Sequence, residues 1–295
     1  MSTTAVQKPS GTDQVAHHKH IHIGKVLFGV LAIVIALIWV FPVYWMVSSS
    51  LLSNVVLTST TPRFFPWGGS VNNYTTVLHS GFFHALWISL QVTIISVVFA
   101  LLFAFLAALA ISRFKFRGRK SFVLAILFIQ MLPAEGLFIA QYKMMSTVGL
   151  LNTVIGVSVL YIAAVIPFTI WMLRGFVAGI PAELEESAQV DGCSSVGAFF
   201  RITFPLLAPG LVASGVYAFL QAWNEFTIAL VILPSQDMRT LPLWLRTFIQ
   251  SSQARETDWG AVMAASTLVA VPVIIFFLLV QGRLTSGLVA GAVKG

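Results

Sequence analysis

Residues 181–209, PAELEESAQVDGCSSVGAFFRITFPLLAP, are an acidic and polar interlude set between two long apolar runs. Pro181 suits the first position of a helix, and Glu183, Glu185 and Glu186 put negative charge at that helix's positive end. Gly192 reads as its stop. Ser194 or Ser195 then caps a second short helix carrying Val196, Phe199 and Phe200 at helical spacing, before Pro205 and Pro209 interrupt the chain. The expectation is helix, glycine turn, helix. Taken alone, such a stretch also reads as an ordinary solvated loop between membrane spans.

The surrounding composition supplies the membrane. Of 295 residues, 58% are hydrophobic and 9% charged, with a mean hydropathy of +0.91, whereas a soluble domain carries about 25% charged residues. The chain therefore reads as an all-α integral membrane protein. Its net charge of +7 does not point to nucleic acid, because the basic residues sit at the ends of apolar runs. The single cysteine, Cys193, excludes an internal disulfide and a Cys-based zinc site. The sequence holds no G-x-x-x-x-G-K-[ST] phosphate loop, and no metal or nucleophile constellation can be assembled from it. A non-enzymatic chain without a cofactor of its own is expected; if transport needs ATP, another chain must hydrolyse it.

Residues 1–24 read as a flexible tail, and the histidines clustered there, His17, His18, His20 and His22, carry no metal expectation. Residues 25–295 then hold six expected spans, at about 26–47, 84–111, 121–144, 152–173, 206–233 and 259–281. Pro133 and Glu135 interrupt the third, and residues 51–83 read as an extended loop with a short surface helix. Ala100, Ala104, Ala108 and Ser112, and again Gly210, Ser214, Ala218 and Ala222, form small-residue stripes that let another helix approach closely. Six spans put both termini on one side. Of the 17 Lys and Arg residues, only Arg63, Lys143, Arg239, Arg246 and Arg255 fall on the other side, which places the termini and the interlude in the cytoplasm.

Ionisable residues inside a span are costly, which singles out Glu135 and Glu225. Glu225 lies in Gln221-Ala222-Trp223-Asn224-Glu225-Phe226-Thr227, where amide, carboxylate and indole suit a polar solute such as a sugar. Two other readings stand: Asn224 and Glu225 bond to neighbouring helices or sit near the outer water interface, and Glu135 satisfies backbone groups freed by Pro133. A proton relay through both carboxylates would make the chain a secondary transporter instead.

Glu186-Ser187-Ala188, three residues, Gly192, nine residues, then Ile202-Thr203-Phe204-Pro205 resembles the E-A-A-x3-G-x9-I-x-L-P signature of permease subunits of bacterial binding-protein-dependent ABC importers. Ser187 and Phe204 depart from it. Residues 41–46, 113–118, Gly149-Leu150-Leu151-Asn152-Thr153, Trp223-Asn224-Glu225-Phe226, Thr240-Leu241-Pro242 and the closing Gly291-Ala292-Val293-Lys294-Gly295 resemble the carbohydrate-uptake branch, specifically the smaller permease of a maltose-type pair. The resemblance implies six transmembrane helices with a cytoplasmic coupling-helix loop between helices 4 and 5. It implies a second homologous permease, two ATPase subunits and an extracytoplasmic solute-binding protein in the inner membrane of a bacterium. It assigns ATPase coupling to Glu186, Ser187, Ala188, Asp191, Gly192, Ile202 and Pro205, and a place at the ATPase interface to Lys294. The implied cargo is a sugar, an oligosaccharide first and glycerol phosphate or another polar solute as the alternative, with Trp223, Asn224, Glu225 and Glu135 along its pathway.

Overall fold

The computed structural model describes residues 23–253 and 257–292, and among them every regular element is helical. The expected tail up to His22, with its histidines, lies outside the described residues. The chain divides into two units, residues 1–45 and 46–295. The described part of the first is most of α1 (Ile23–Ser50), an apolar helix with Pro42 inside it.

In the second unit, α2 (Asn54–Leu57) and α3 (Asn72–Leu78) lie in the segment expected to be mostly extended. Asn73 donates to the Ser50 and Leu52 carbonyls at 2.8 and 2.9 Å and pins that segment to the end of α1. The long helices follow: α4 (Phe82–Arg113), α7 (Val154–Ala178), α10 (Phe204–Asn224) and α13 (Trp259–Ala292). A segment in hydrocarbon must satisfy its own backbone, which the helix does. At 32 residues α4 is about 48 Å long, more than the hydrocarbon core of a bilayer. Five helices among the described residues are long and apolar enough to cross a membrane.

α4 packs along α7 and both pack on α10. The small-residue stripes are the seams: Ala100, Ala104 and Ala108 are fully buried, and Gly210, Ser214, Ala218 and Ala222 are buried with them. The core clusters fix the directions. Ile88 and Val92 of α4 meet Val157 and Leu160 of α7 at one end, while Ala108 and Ile111 meet Leu173 and Val177 at the other. α4 and α7 therefore run the same way, and α10, with Leu207 at the second end and Ala222 at the first, runs back.

Two of the expected spans are not single helices. The span over 121–144, expected to be interrupted at Pro133 and Glu135, is α5 (Arg119–Gln130), a 3-10 turn (Ala134–Leu137) and α6 (Phe138–Thr147). Pro133 has no N–H to donate and holds the residue before it out of helical conformation, so neither half is long enough to span alone. The run over 206–233 is likewise divided: α10 stops at Asn224, Glu225 is extended, and α11 (Thr227–Ile232) starts afresh. At its other end, α10 is longer than the prolines suggested. α9 (Ser195–Ala198), a π turn (Phe199–Thr203) and α10 form one continuous 30-residue helix. The Phe204 N–H bonds back five residues to the Phe199 carbonyl, and this wider turn admits Pro205 at the start of α10 without a break.

Candidate functional site

At the end of the bundle where α7 finishes, α8 (Glu183–Val190) and α9 form a helical hairpin. Its turn is closed by two bonds, Gly192 N–H to the Gln189 carbonyl at 3.1 Å and Cys193 N–H to the Ala188 carbonyl at 2.9 Å. That pair is a Schellman cap, which needs a left-handed residue; Gly192 supplies it at φ +89°. Ser194 is the residue that caps α9, accepting from Gly197 N–H at 3.1 Å. Ala188 and Ala198 are buried where small side chains let the helices meet.

The acids separate. Glu183 and Glu186 are exposed on α8, followed by exposed Ser187, Val190, Asp191 and Gly192, with Val190 88% exposed. Exposed acids together with the uncovered Val190 make a polar ridge with some apolar area to bury on a partner. Glu185 instead turns inward, to Arg113 and Thr203. Ile202 and Pro205 stand on the stem of the hairpin, in the π turn and at the foot of α10, rather than on the ridge. Lys294 lies outside the described residues.

Within the spans, the polar cluster near residue 224 splits. Trp223 is 2% exposed and stacks at 5.6 Å on Phe219, which itself stacks at 3.8 Å on Phe276 of α13. Its indole is core. The Glu225 carboxylate accepts the N–H groups of Ile228 and Ala229 at 2.8 and 3.2 Å, and its own carbonyl accepts the Tyr161 hydroxyl at 3.2 Å. It caps α11, the geometry that a chain break inside a membrane requires. Glu135 falls in the 3-10 turn, and its side chain lies outside the described residues.

Asn224 remains exposed, and the structure joins it and Gln221 to neighbours outside the quoted cluster. Tyr217, Gln221 and Asn224 stand at i, i+4 and i+7 on one face of α10, with the Gln221 amide 3.4 Å from the Tyr217 hydroxyl. Tyr217 contacts Phe168 of α7 at 4.4 Å between ring centroids, and Phe168 stacks on exposed Trp171 at 5.7 Å. Aromatic faces and amides thus form one strip across α7 and α10. Aromatic planes stack on the apolar faces of sugar rings while amides bond their hydroxyls.

The opposite end of the bundle is fastened by the remaining motifs. Asn152, in the left-handed region at φ +57°, accepts the N–H and hydroxyl of Ser235 at 3.2 and 2.8 Å, and Thr153 caps α7. Leu241, the first residue of α12 (Leu241–Gln253), donates its N–H to the buried Ser89 hydroxyl at 2.6 Å. Beside them a pocket of about 650 Å³ is lined by His84, Gln236, Asp237, Arg239 and Trp244, with His84 Nε2 2.6 Å from the Asp237 carbonyl.

Residues 100–289 match the family described as "Binding-protein-dependent transport system inner membrane component". The chain is 40% identical over 276 residues to the diacetylchitobiose uptake system permease protein DasC of Streptomyces coelicolor, covering 92% of this chain and 98% of that protein. It is 32% identical over 279 residues to the trehalose/maltose transport system permease protein MalG of Thermococcus litoralis, covering 92% and 97%. A chain in the crystal structure of a bacterial ABC transporter involved in the import of the acidic polysaccharide alginate superposes with a TM-score of 0.74 at 26% identity, over 88% of this chain and 96% of that one.

Proposed function

Because the chain belongs to the family of binding-protein-dependent transport system inner membrane components, we propose that it is one of the two permeases of an ATP-driven importer of oligosaccharides. A solute-binding protein delivers the sugar from outside, a second homologous permease completes the pathway, and two ATPase subunits hold the ATP and Mg2+. The termini and the α8–α9 hairpin face the cytoplasm, with α5 and α6 together serving as the third of six spans. The observation that carries this reading is the signature spacing from Glu186 to Pro205, realised as an exposed acidic hairpin at one end of the helix bundle. Closure of the ATPase dimer moves that hairpin as a lever, and the spans alternate access to the pathway. The cargo follows from the relatives, whose names record diacetylchitobiose and trehalose or maltose.

The test is uptake into vesicles holding the reconstituted complex and its binding protein, with labelled diacetylchitobiose and trehalose against glycerol phosphate. Saccharide uptake that requires ATP and survives a proton uncoupler is expected. Uptake that persists without ATP overturns the importer reading, and preference for glycerol phosphate overturns the cargo. In the same vesicles Glu225→Gln is expected to lower thermal stability by about 1 kcal/mol, the worth of a charged cap, and to leave uptake near wild type. Loss of uptake at unchanged stability would restore Glu225 to the pathway.

The α7–α10 strip is the wall of the pathway in this reading. With Cys193 replaced by Ser, Gln221→Cys and Asn224→Cys are expected to react with a membrane-impermeant thiol reagent added from outside, and oligosaccharide is expected to protect them. No reaction in any nucleotide state would mean that the face is sealed by lipid or by another helix.

A further inference from the structure

Three segments meet at one carboxylate near the hairpin, and a fourth joins through the arginine beside it. Oε1 of Glu185, in the first turn of α8, lies 3.2 Å from Nη2 of Arg113, the last residue of α4. The same oxygen accepts the Thr203 hydroxyl at 2.6 Å, from the π turn that leads into α10. Arg113 donates through Nη1 to the Ile180 carbonyl at 3.1 Å, in the turn that joins α7 to α8. Thr203 is fully buried, and the side chains of Arg113 and Glu185 are 19% and 21% exposed. The pair is partly withdrawn from water; its Nη2 approach is a charge contact without hydrogen-bond geometry, and the directed bonds are those of Thr203 to the carboxylate and of Arg113 Nη1 to Ile180. Beside it, Phe105 of α4 packs against Phe199 and Phe204 at 6.0 and 6.2 Å.

Resting on the coupling role proposed above, we infer that Arg113, Glu185 and Thr203 are positioning residues that transmit movement of α8 to α4 and α10 together. The chain itself offers a poor lever. α8 is joined to α7 through Gly179-Ile180-Pro181-Ala182 and to α9 through Gly192, so a push on α8 can be absorbed by rotation about glycine at either end. A carboxylate fastened on one side to α4 and on the other to the foot of α10 removes that freedom. The three acids of α8 then divide their work: Glu183 and Glu186 face outward to the partner, and Glu185 faces inward to the bundle. Coupling between distant sites needs an element that both ends bias, and here that element is the hairpin with its clasp.

The experiment uses the full complex with its binding protein in vesicles, reading sugar uptake and ATP hydrolysis separately. Glu185→Gln and Arg113→Gln are expected to leave assembly and basal hydrolysis unchanged while sugar moved per ATP falls about tenfold, in the usual range of coupling energies. Thr203→Val is expected to fall between these and wild type. The charge exchange Arg113→Glu with Glu185→Arg is expected to restore most of the ratio, which a change in bulk alone does not do. A smaller amount of inserted protein with an unchanged ratio makes the contact merely structural and overturns the inference, as does a double exchange no better than either single change. The wild-type complex, run in parallel, reads the importer assignment by itself: if its uptake is independent of ATP, that assignment fails before the clasp is considered.

Discussion

Gly192→Pro is expected to abolish sugar uptake while the chain still inserts. The left-handed backbone at φ +89° is closed to proline, whose ring holds φ near −65°. Proline also removes the N–H that bonds the Gln189 carbonyl at 3.1 Å, half of the cap that closes α8 against α9. The local cost is about 3 kcal/mol or more, enough to undo an eight-residue helix at the surface. It stays local, because a side-chain atom at 192 meets nothing within 4 Å and no bundle contact is disturbed. Uptake in vesicles and co-purification with the ATPase read the two consequences separately. Gly192→Ala is the graded control, at about 1 kcal/mol for a β-carbon in the left-handed region. Full uptake by the proline variant would remove the hairpin from the coupling path.

The second large effect is expected at Gly210, inside the bundle. A β-carbon there would sit 2.5 Å from the Phe176 ring and 2.8 Å from its Cβ, so α10 reaches α7 only because nothing projects at this point. Gly210→Leu forces the two helices apart, with a cost of about 3 kcal/mol, the upper end for overfilling a packed core. A marked fall in unfolding temperature and in the yield of inserted protein is expected. Adding Phe176→Ala should return a substantial part of the loss, and a double-mutant cycle measures that coupling. Strict additivity of the two changes would show that the clash is relieved elsewhere.

The parts of this structure written in local code were legible in the sequence. The small-residue stripes map directly onto buried seams, because a period near four is a helix face whatever lies opposite. The hairpin was legible for the same reason: Gly192 and the serine cap act on their own neighbours. What escaped depends on distant partners. Nothing in Glu183-Leu184-Glu185-Glu186 says which acid turns inward; Arg113 and Thr203 decide it, from 72 residues before and 18 after. Glu225 stood out as an ionisable residue inside an expected span, and its capping of α11 becomes visible only in the fold, because no glycine or proline at that position announces that α10 ends there. Gln221 was read with Asn224, but Tyr217 one turn before them was not, and their company with Phe168 and Trp171 exists only once α7 lies beside α10.

The π turn at 199–203 gives the nine residues between Gly192 and Ile202 a geometric meaning. A π turn holds one residue more than the α-helix it interrupts, and one residue is about 100° of rotation. That surplus sets the angular phase of everything after it on α10: Gly210 against Phe176, and Gln221 and Asn224 away from the core. Shortening the stem by a residue would keep every side chain of α10 and still turn the wrong faces inward. What the count fixes is therefore a phase angle between the α8–α9 hairpin and the long helix that follows it, and a chimera that grafts one hairpin onto another permease must preserve the count before it preserves the residues.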